Sequence, residues 1–253
     1  MRAVWRVCKM HATLDHMPSM VRNDPRQYDE LADHWWRPGG HFELLHWLAE
    51  ARARLIPPAS APGAILVDAG CGGGLLAPHL AGKGYTHVGV DLRTSGLRHA
   101  AERGIRPVRG DVTALPLATG SAEVVAAGEI LEHVTDLPAT VAELCRVLRP
   151  GGLLVLDTVN DNALSRFVTI TLGEAIGLAP AGLHDPALFV DPRRLTALCA
   201  SYGVRLQVRG ARPSVPGLLR WLGPSSKRRP LGRIVPTRST AVLYQGHGRK
   251  EAA

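Results

Sequence analysis

The ten residues Ile65-Leu66-Val67-Asp68-Ala69-Gly70-Cys71-Gly72-Gly73-Gly74 constrain this chain more than any other stretch. The first half reads as a short buried strand, and the glycines then force a tight turn into a helix. At Gly70, Gly72, Gly73 and Gly74 the backbone can pass close to a ligand, because no Cβ stands in the way. Further on, the apolar run His87-Val88-Gly89-Val90 ends in Asp91. A glycine turn after one strand and an acid closing the next is how an open α/β sheet holds a ribose and its attached group. The spacing Gly70-x-Gly72-x-Gly74 is not the G-x-G-x-x-G pattern, which argues against a nicotinamide or flavin dinucleotide.

The rest of the chain supports an alternating architecture. Strands are expected at 65–69, 87–90, 106–109, 122–127, 153–159, 204–210 and 240–245. Helices are expected at 75–82, 96–103, 138–148 and 192–201. Upstream, Asp24 can cap a helix with Pro25 at its first position, with Tyr28, Leu31 and Trp35 near helical spacing. A second amphipathic helix runs through Leu48 and Leu55 to the stop at Pro57-Pro58. Residues 1–23 show no clear period and lack the continuous apolar core of a secretory signal, so they are expected to be a disordered extension. No run of eighteen apolar residues exists to span a membrane. The scattered Cys8, Cys71, Cys145 and Cys199 form no C-x-x-C pair, and suit a reducing cytoplasm rather than a disulfide framework or a zinc site.

Val67 to Gly74 together with Asp91 resembles motif I and its acidic partner in class I S-adenosylmethionine-dependent methyltransferases. The resemblance implies a Rossmann-like α/β fold: a mostly parallel seven-stranded sheet with helices on both faces, N-terminal helices and a helical lid insertion. It makes residues 24–253 the methyltransferase domain. The cofactor would lie against Asp68, Gly70, Gly72, Asp91 and Gly128. Asp111, at the end of the third strand, is placed by the resemblance near the adenine amine, although capping its own turn is an equal use for it. The turn Leu148-Arg149-Pro150-Gly151-Gly152 before a strand is also typical of the class.

Trp35-Trp36, Gly40-x-Phe42 and Leu45-His46 followed by Arg52 resemble the N-terminal signature of the ubiquinone-biosynthesis O-methyltransferases, which methylate polyprenylated catechols. The resemblance makes Arg52 a cofactor contact. Packing of helix on sheet is the ordinary use of the two tryptophans and Phe42, and is compatible with lining a cofactor pocket.

The fourth strand runs into Gly128-Glu129-Ile130-Leu131-Glu132-His133. In a helix, Glu129, Glu132 and His133 would share one face at i, i+3 and i+4. Two carboxylates and an imidazole at a ligand-bearing strand end make a site for a divalent cation. Oxygen ligands with one nitrogen suit magnesium or manganese, and also zinc. The E-x-x-E-H pattern matches the metal-binding triad attributed to the ubiquinone-type enzymes. Many class I methyltransferases carry Leu-Glu-His here without metal, where Glu132 and His133 simply orient the turn. A cation chelated by two adjacent hydroxyls would lower the phenolic pKa and align the oxygen with the sulfonium methyl.

Residues 160–190 read as an insertion. Leu164, Phe167, Val168, Ile170, Leu172 and Ile176 give a broad apolar stripe, followed by Gly182-x-His184-Asp185 and Phe189. This resembles the segment that lids the active site and touches the membrane in the ubiquinone family, so the stripe is expected either to lie in a lipid interface or to pack as an ordinary lid. His184 is the candidate general base for the phenolic proton, or else fixes its loop with Asp185.

Charge is unevenly placed. Between Pro192 and Lys250 there is no Asp or Glu but there are thirteen Lys or Arg, so this region alone makes the net charge +8. Such a block suits an anionic lipid surface or nucleic acid, or is a solvated basic face. Apolar residues of 213–222 beside Lys227-Arg228-Arg229 favour lipid. Few tail aromatics are available for base stacking, and no Asn-Pro-Pro-Tyr-like motif follows the fourth strand, which speaks against nucleic acid. The expectation is a cytoplasmic enzyme, peripheral to the inner face of the membrane, that O-methylates a catechol-like prenylated aromatic with S-adenosylmethionine and a divalent cation such as Mg2+. The rivals are a different small-molecule acceptor in secondary metabolism, or an RNA-binding protein or RNA methyltransferase using the basic region.

Overall fold

Strands whose side chains are apolar on both faces can only be buried between two layers of helix. Ile65–Ala69 and Ala122–Gly128 are buried along nearly their whole length, and they form the centre of the sheet. The structure, a computed structural model, describes residues 22–177, 179–222 and 232–252. Its strands are β1 (Ile65–Ala69), β2 (Thr86–Asp91), β3 (Arg106–Arg109), β4 (Ala122–Gly128), β5 (Leu148–Val159), β6 (Gln207–Pro213), β7 (Ile234–Thr237) and β8 (Leu243–Arg249). They lie in the order β3-β2-β1-β4-β5-β8-β6-β7. The first five run parallel, and β8 inserts antiparallel between β5 and β6.

The helices are α1 (Gln27–Glu30), α2 (Glu43–Ala53), α3 (Ala77–Leu80), α4 (Thr94–Ala101), α5 (Leu137–Val147), α6 (Ala163–Arg166), α7 (Gly173–Ala175), α8 (Pro192–Ser201) and α9 (Val215–Leu222). Alternate side chains of each strand point to opposite faces, which splits the core in two. Val67, Val125, Ala127, Leu154 and Leu156 pack under α5 and α8. Leu66, Val124, Ala126 and Val155 pack with residues of α2 and α3. Helix starts are set by aspartates followed by proline: Asp136 accepts from Ala139 N at 2.9 Å, and Asp191 accepts from Arg193 N and Arg194 N.

The Rossmann-like sheet is as expected, with one strand more than the expected seven. The extra β7 pairs antiparallel with β6 at the sheet edge, where Pro236 is tolerated because an edge N–H needs no partner. The last two long strands also sit several residues beyond their expected positions. Gly246 and Gly248 look like strand breakers, but here they let the 205–206 loop lie on the sheet. A Cβ on Gly248 would stand 2.5 Å from Arg205 O.

Two N-terminal expectations change. The helix expected from Pro25 is only α1 followed by a 3₁₀ turn at Ala32–His34, and Asp24 binds the Arg26 side chain instead of capping it. The expected extension 1–23 lies outside the described residues up to 21, but Arg22 and Asn23 are ordered against the body of the protein. Lys227-Arg228-Arg229 lies outside the described residues.

The insertion is helical as expected, with an uncommon geometry. Asn162 and Ser165 form a reciprocal capping box for α6. A π-helical stretch, Phe167–Leu172, then leads into α7. Leu164, Phe167, Leu172 and Ile176 all stand exposed to solvent. No helix among the described residues is long and apolar enough to cross a membrane.

Candidate active site

The glycine loop turns where only glycine is comfortable. Gly70, Gly72 and Gly74 have φ of 71°, 49° and 78°, in the left-handed region that side chains avoid. They are also crowded: a Cβ on Gly70 would lie 2.6 Å from Ile130, and one on Gly73 would lie 2.5 Å from the Trp35 ring. Trp35 therefore packs flat on the loop, stacked on Phe42 at 4.2 Å between ring centroids, and Trp36 Nε1 donates to Gly73 O at 2.9 Å. Both expected uses of the tryptophan pair are combined here, because Trp35 packs on the loop and also lines the cavity the loop opens onto.

That cavity measures about 370 Å³ and lies at the C-terminal ends of β1, β2 and β4. Asp68, Gly70, Gly72 and Asp91 line it, as do Arg52, Asp111 and Gly128. Asp91 accepts from Gly72 N and from Arg93 N, each at 2.8 Å. Burial raises its pKa, against the pull of those two N–H groups. Asp111 accepts from Thr113 N and Oγ1 at 2.8 Å, so it caps its turn while facing the cavity.

Arg52, from α2, is only 6% exposed and donates from Nη1 to Asp157 at 2.5 Å. Its Nε is buried without a partner. The guanidinium lies directly on the Cα of Gly128, leaving no room for a side chain there.

The segment after β4 corrects one expectation. Glu129 has φ 50°, and only Leu131–His133 forms a 3₁₀ turn. No helix face therefore joins Glu129, Glu132 and His133. The left-handed residue ends the strand and turns the chain away before any helix begins. The group with ligand atoms within 4.8 Å of one another is instead Glu132, His133 and His184. The His133 and His184 rings lie 5.0 Å apart.

Burial dominates the chemistry of this group. It raises the Glu132 carboxyl to about 7 and lifts Glu129 well above the carboxylate range, with Glu132 and Asp157 adding to the effect. Thr158 Oγ1 donates to Glu132 at 2.7 Å. Burial also lowers His133 well below the usual imidazole value and His184 to about 4. Glu129 Oε1, Glu132 Oε1 and His184 Nδ1 are buried without hydrogen-bond partners.

The cavity wall includes Glu129 and His133, whereas Glu132 and His184 stand behind it. His184, packed against His133 by the insertion, lies outside the cavity wall.

Three residues of the site escaped the sequence reading. Tyr28 lines the cavity and sets its hydroxyl 3.3 Å from His133 Nε2. Asn23 grips His133 from the other side. Asp157, facing Gly128 in the β4–β5 register, anchors Arg52. Asp157 carried a signal, being an acid inside the otherwise apolar strand run Leu153-Leu154-Val155-Leu156-Asp157.

A glycine loop, a ribose-type acid and an acid-lined cavity at the carboxyl ends of a parallel sheet define a class I S-adenosylmethionine-dependent methyltransferase. Residues 67–156 match the Methyltransferase domain family. Among solved structures, an S-adenosylmethionine-dependent methyltransferase from Thermotoga maritima superposes with a TM-score of 0.62 at 18% identity, covering 88% of this chain and 98% of that one. Geranyl diphosphate methyltransferase in complex with S-adenosylmethionine gives 0.58 at 19% identity, covering 90% and 91%.

The sequence relatives are more specific. The ubiquinone biosynthesis O-methyltransferase of Cupriavidus pinatubonensis is 35% identical over 207 residues, 76% of this chain and 83% of the relative. That of Paracidovorax citrulli is 36% identical over 210 residues, 77% and 88%. The chain belongs to the ubiquinone biosynthesis O-methyltransferase family.

Proposed function

We propose that the protein transfers the methyl group of S-adenosylmethionine to a phenolic hydroxyl of a catechol-like, prenylated quinone precursor. The observation that carries this reading is a group able to hold a cation, His133 in the wall of the cofactor cavity with Glu132 and His184 behind it, in a chain of this family. In this reading Asp91 holds the ribose hydroxyls and Asp111 the adenine amine. Asp68, Gly70, Gly72 and Gly128 border the methionine portion. The unpartnered Nε of Arg52 suits the ligand carboxylate, as its Nη1 is committed to Asp157.

A divalent cation such as Mg2+ fits the residues present, because Glu129 Oε1, Glu132 Oε1 and His184 Nδ1 are buried acceptors lacking partners. Glu132, His133 and His184 would hold it, with Glu129 alongside. Such a cation supplies a lowered pKa to a phenol that otherwise ionises near 10. His184 serves here as a neutral ligand rather than as the base, consistent with its lowered pKa. The protein's own part is to orient the acceptor oxygen in line with the methyl group and to exclude water. A direct displacement requires no covalent enzyme intermediate.

The prenyl tail gives a use to the exposed Leu164, Phe167, Leu172 and Ile176, which would lie in the interface of the inner membrane face while the body of the enzyme stays in the cytoplasm. The deciding experiment follows methyl transfer from labelled S-adenosylmethionine to a short-prenyl catechol, with magnesium and with EDTA, for wild type and Glu132→Ala. Transfer abolished by both EDTA and the substitution supports the reading. Cofactor binding without transfer to any catechol overturns it.

A further inference from the structure

We propose that Asn23 is a positioning residue that locks His133 in the Nδ1–H tautomer, so that Nε2 presents a lone pair to the cavity. Asn23 Nδ2 donates to the main-chain carbonyl of His133 at 2.9 Å, and a carbonyl can only accept. The amide is therefore oriented with Oδ1 towards the ring, 2.7 Å from Nδ1. An amide oxygen also only accepts, so Nδ1 must carry the proton. Nε2 is then the ring's acceptor, and the Tyr28 hydroxyl stands 3.3 Å from it as a donor that an incoming ligand would displace.

Asn23 is itself held firmly. Its backbone adopts φ 59°, a conformation asparagine tolerates better than most residues. Its N–H donates to Gly182 O at 2.9 Å. Arg22 beside it donates to His184 O at 3.0 Å and pairs with Glu174 at 2.8 Å. The insertion thus fixes Asn23, and Asn23 fixes the ring.

The opposite tautomer would turn an N–H towards the cavity, where it could neither ligate a cation nor accept from an acceptor hydroxyl. A partner on the second ring nitrogen is the usual means of setting which nitrogen is free. The catalytic consequence rests on the proposed methyl transfer, whereas the tautomer does not.

The test is the two-bond proton–nitrogen spectrum of protein labelled with nitrogen-15 histidine, the His133 signals being identified by their loss in His133→Phe. Wild type is expected to show a protonated Nδ1 and a bare Nε2. Asn23→Ala is expected to shift His133 towards the Nε2–H form and to lower kcat about 10–100-fold, with the Kd for S-adenosylmethionine unchanged. Asn23→Asp loses the donor to the His133 carbonyl but keeps an acceptor at Nδ1, so Nδ1 is expected to stay protonated. A wild-type His133 carrying its proton on Nε2, or a pattern unmoved in Asn23→Ala, overturns the proposal. The expected tautomer in a wild type that methylates no catechol refutes the proposed reaction while leaving the tautomer assignment standing.

Discussion

Gly128 offers a test of how far one buried ion pair supports the site. Alanine at this position meets no backbone penalty, since Gly128 is not among the residues of positive φ. The effect of Gly128→Ala is the collision of one methyl group with the guanidinium of Arg52. The strand cannot retreat, because β4 is held between β1 and β5, so the guanidinium has to move. That separates it from Asp157, in a pair whose side chains are 8% and 1% exposed, and leaves Asp157 buried without its cation and Glu129 with less of its attraction.

Breaking a buried pair from one side costs about 3–5 kcal/mol. Asp157 can relieve part of this by taking up a proton, as burial already raises its pKa, so the lower end, about 3 kcal/mol, is expected. In a chain of this size that lowers Tm by roughly 6–12 °C. Urea unfolding of wild type, Gly128→Ala, Arg52→Ala and the double variant measures it. Both single substitutions remove the same pair, so the double variant should lose little more than Arg52→Ala alone, a coupling of about 2–3 kcal/mol. Losses that add to within about 0.5 kcal/mol would refute the reasoning, because the methyl group would then not be acting through Arg52.

Asp91→Asn should weaken S-adenosylmethionine by about 1.5–3 kcal/mol, the worth of a hydrogen bond to a charged group; calorimetric titration would show a roughly 10- to 150-fold higher Kd, and an unchanged Kd counts against the ribose assignment. Gly70→Ala, at φ 71° and against Ile130, should destabilise by about 2–5 kcal/mol through strain and overpacking, and adding Ile130→Ala should recover the packing share in urea unfolding. His184 binds its proton with a pKa of about 4 when folded and 6.5 when unfolded. The unfolded chain therefore binds the extra proton between these values, so the contribution of His184 is complete above pH 6.5 and is lost as pH falls towards 4, by about 3 kcal/mol. Urea midpoints should accordingly fall less steeply with acid in His184→Gln than in wild type, and parallel slopes would contradict the burial argument.

What could be read from the chain and what could not divide along a physical line. The glycine loop and Asp91 were legible because a tight turn and a strand-closing acid show within a few positions, whereas Asp68 and Asp111 came from the resemblance; all line the same cavity. The turn at Glu129 was not, since a glutamate gives no local sign that it will sit at φ 50°; the helical spacing of 129, 132 and 133 was therefore assumed and wrong. His184 was singled out as a residue, but its place behind His133 depends on how the whole insertion folds back. Asn23 and Tyr28 reach His133 across 110 and 105 residues, and no spacing rule spans such a distance. The extent of β8 beyond 245 depends likewise on distant chain, since its glycines answer to a loop that packs on them.

The charges around the cavity follow from the same fold and bear on turnover. Asp68, Asp91, Asp111 and Glu129 face it, against Arg52 and Arg93, and Arg52 is committed to Asp157. Burial raises the pKa of Asp91 and, more strongly, of Glu129, the response of carboxylates short of nearby positive charge. A sulfonium ligand brings that charge into the cavity, and the thioether left after methyl transfer does not. In the proposed reaction these acids would lose part of their hold on the cofactor when the methyl group leaves, because the attraction resides in the charge that the reaction consumes. Arg52 tempers this: its guanidinium is tied to Asp157 and also attracts Asp68 and Glu129, which face the cavity.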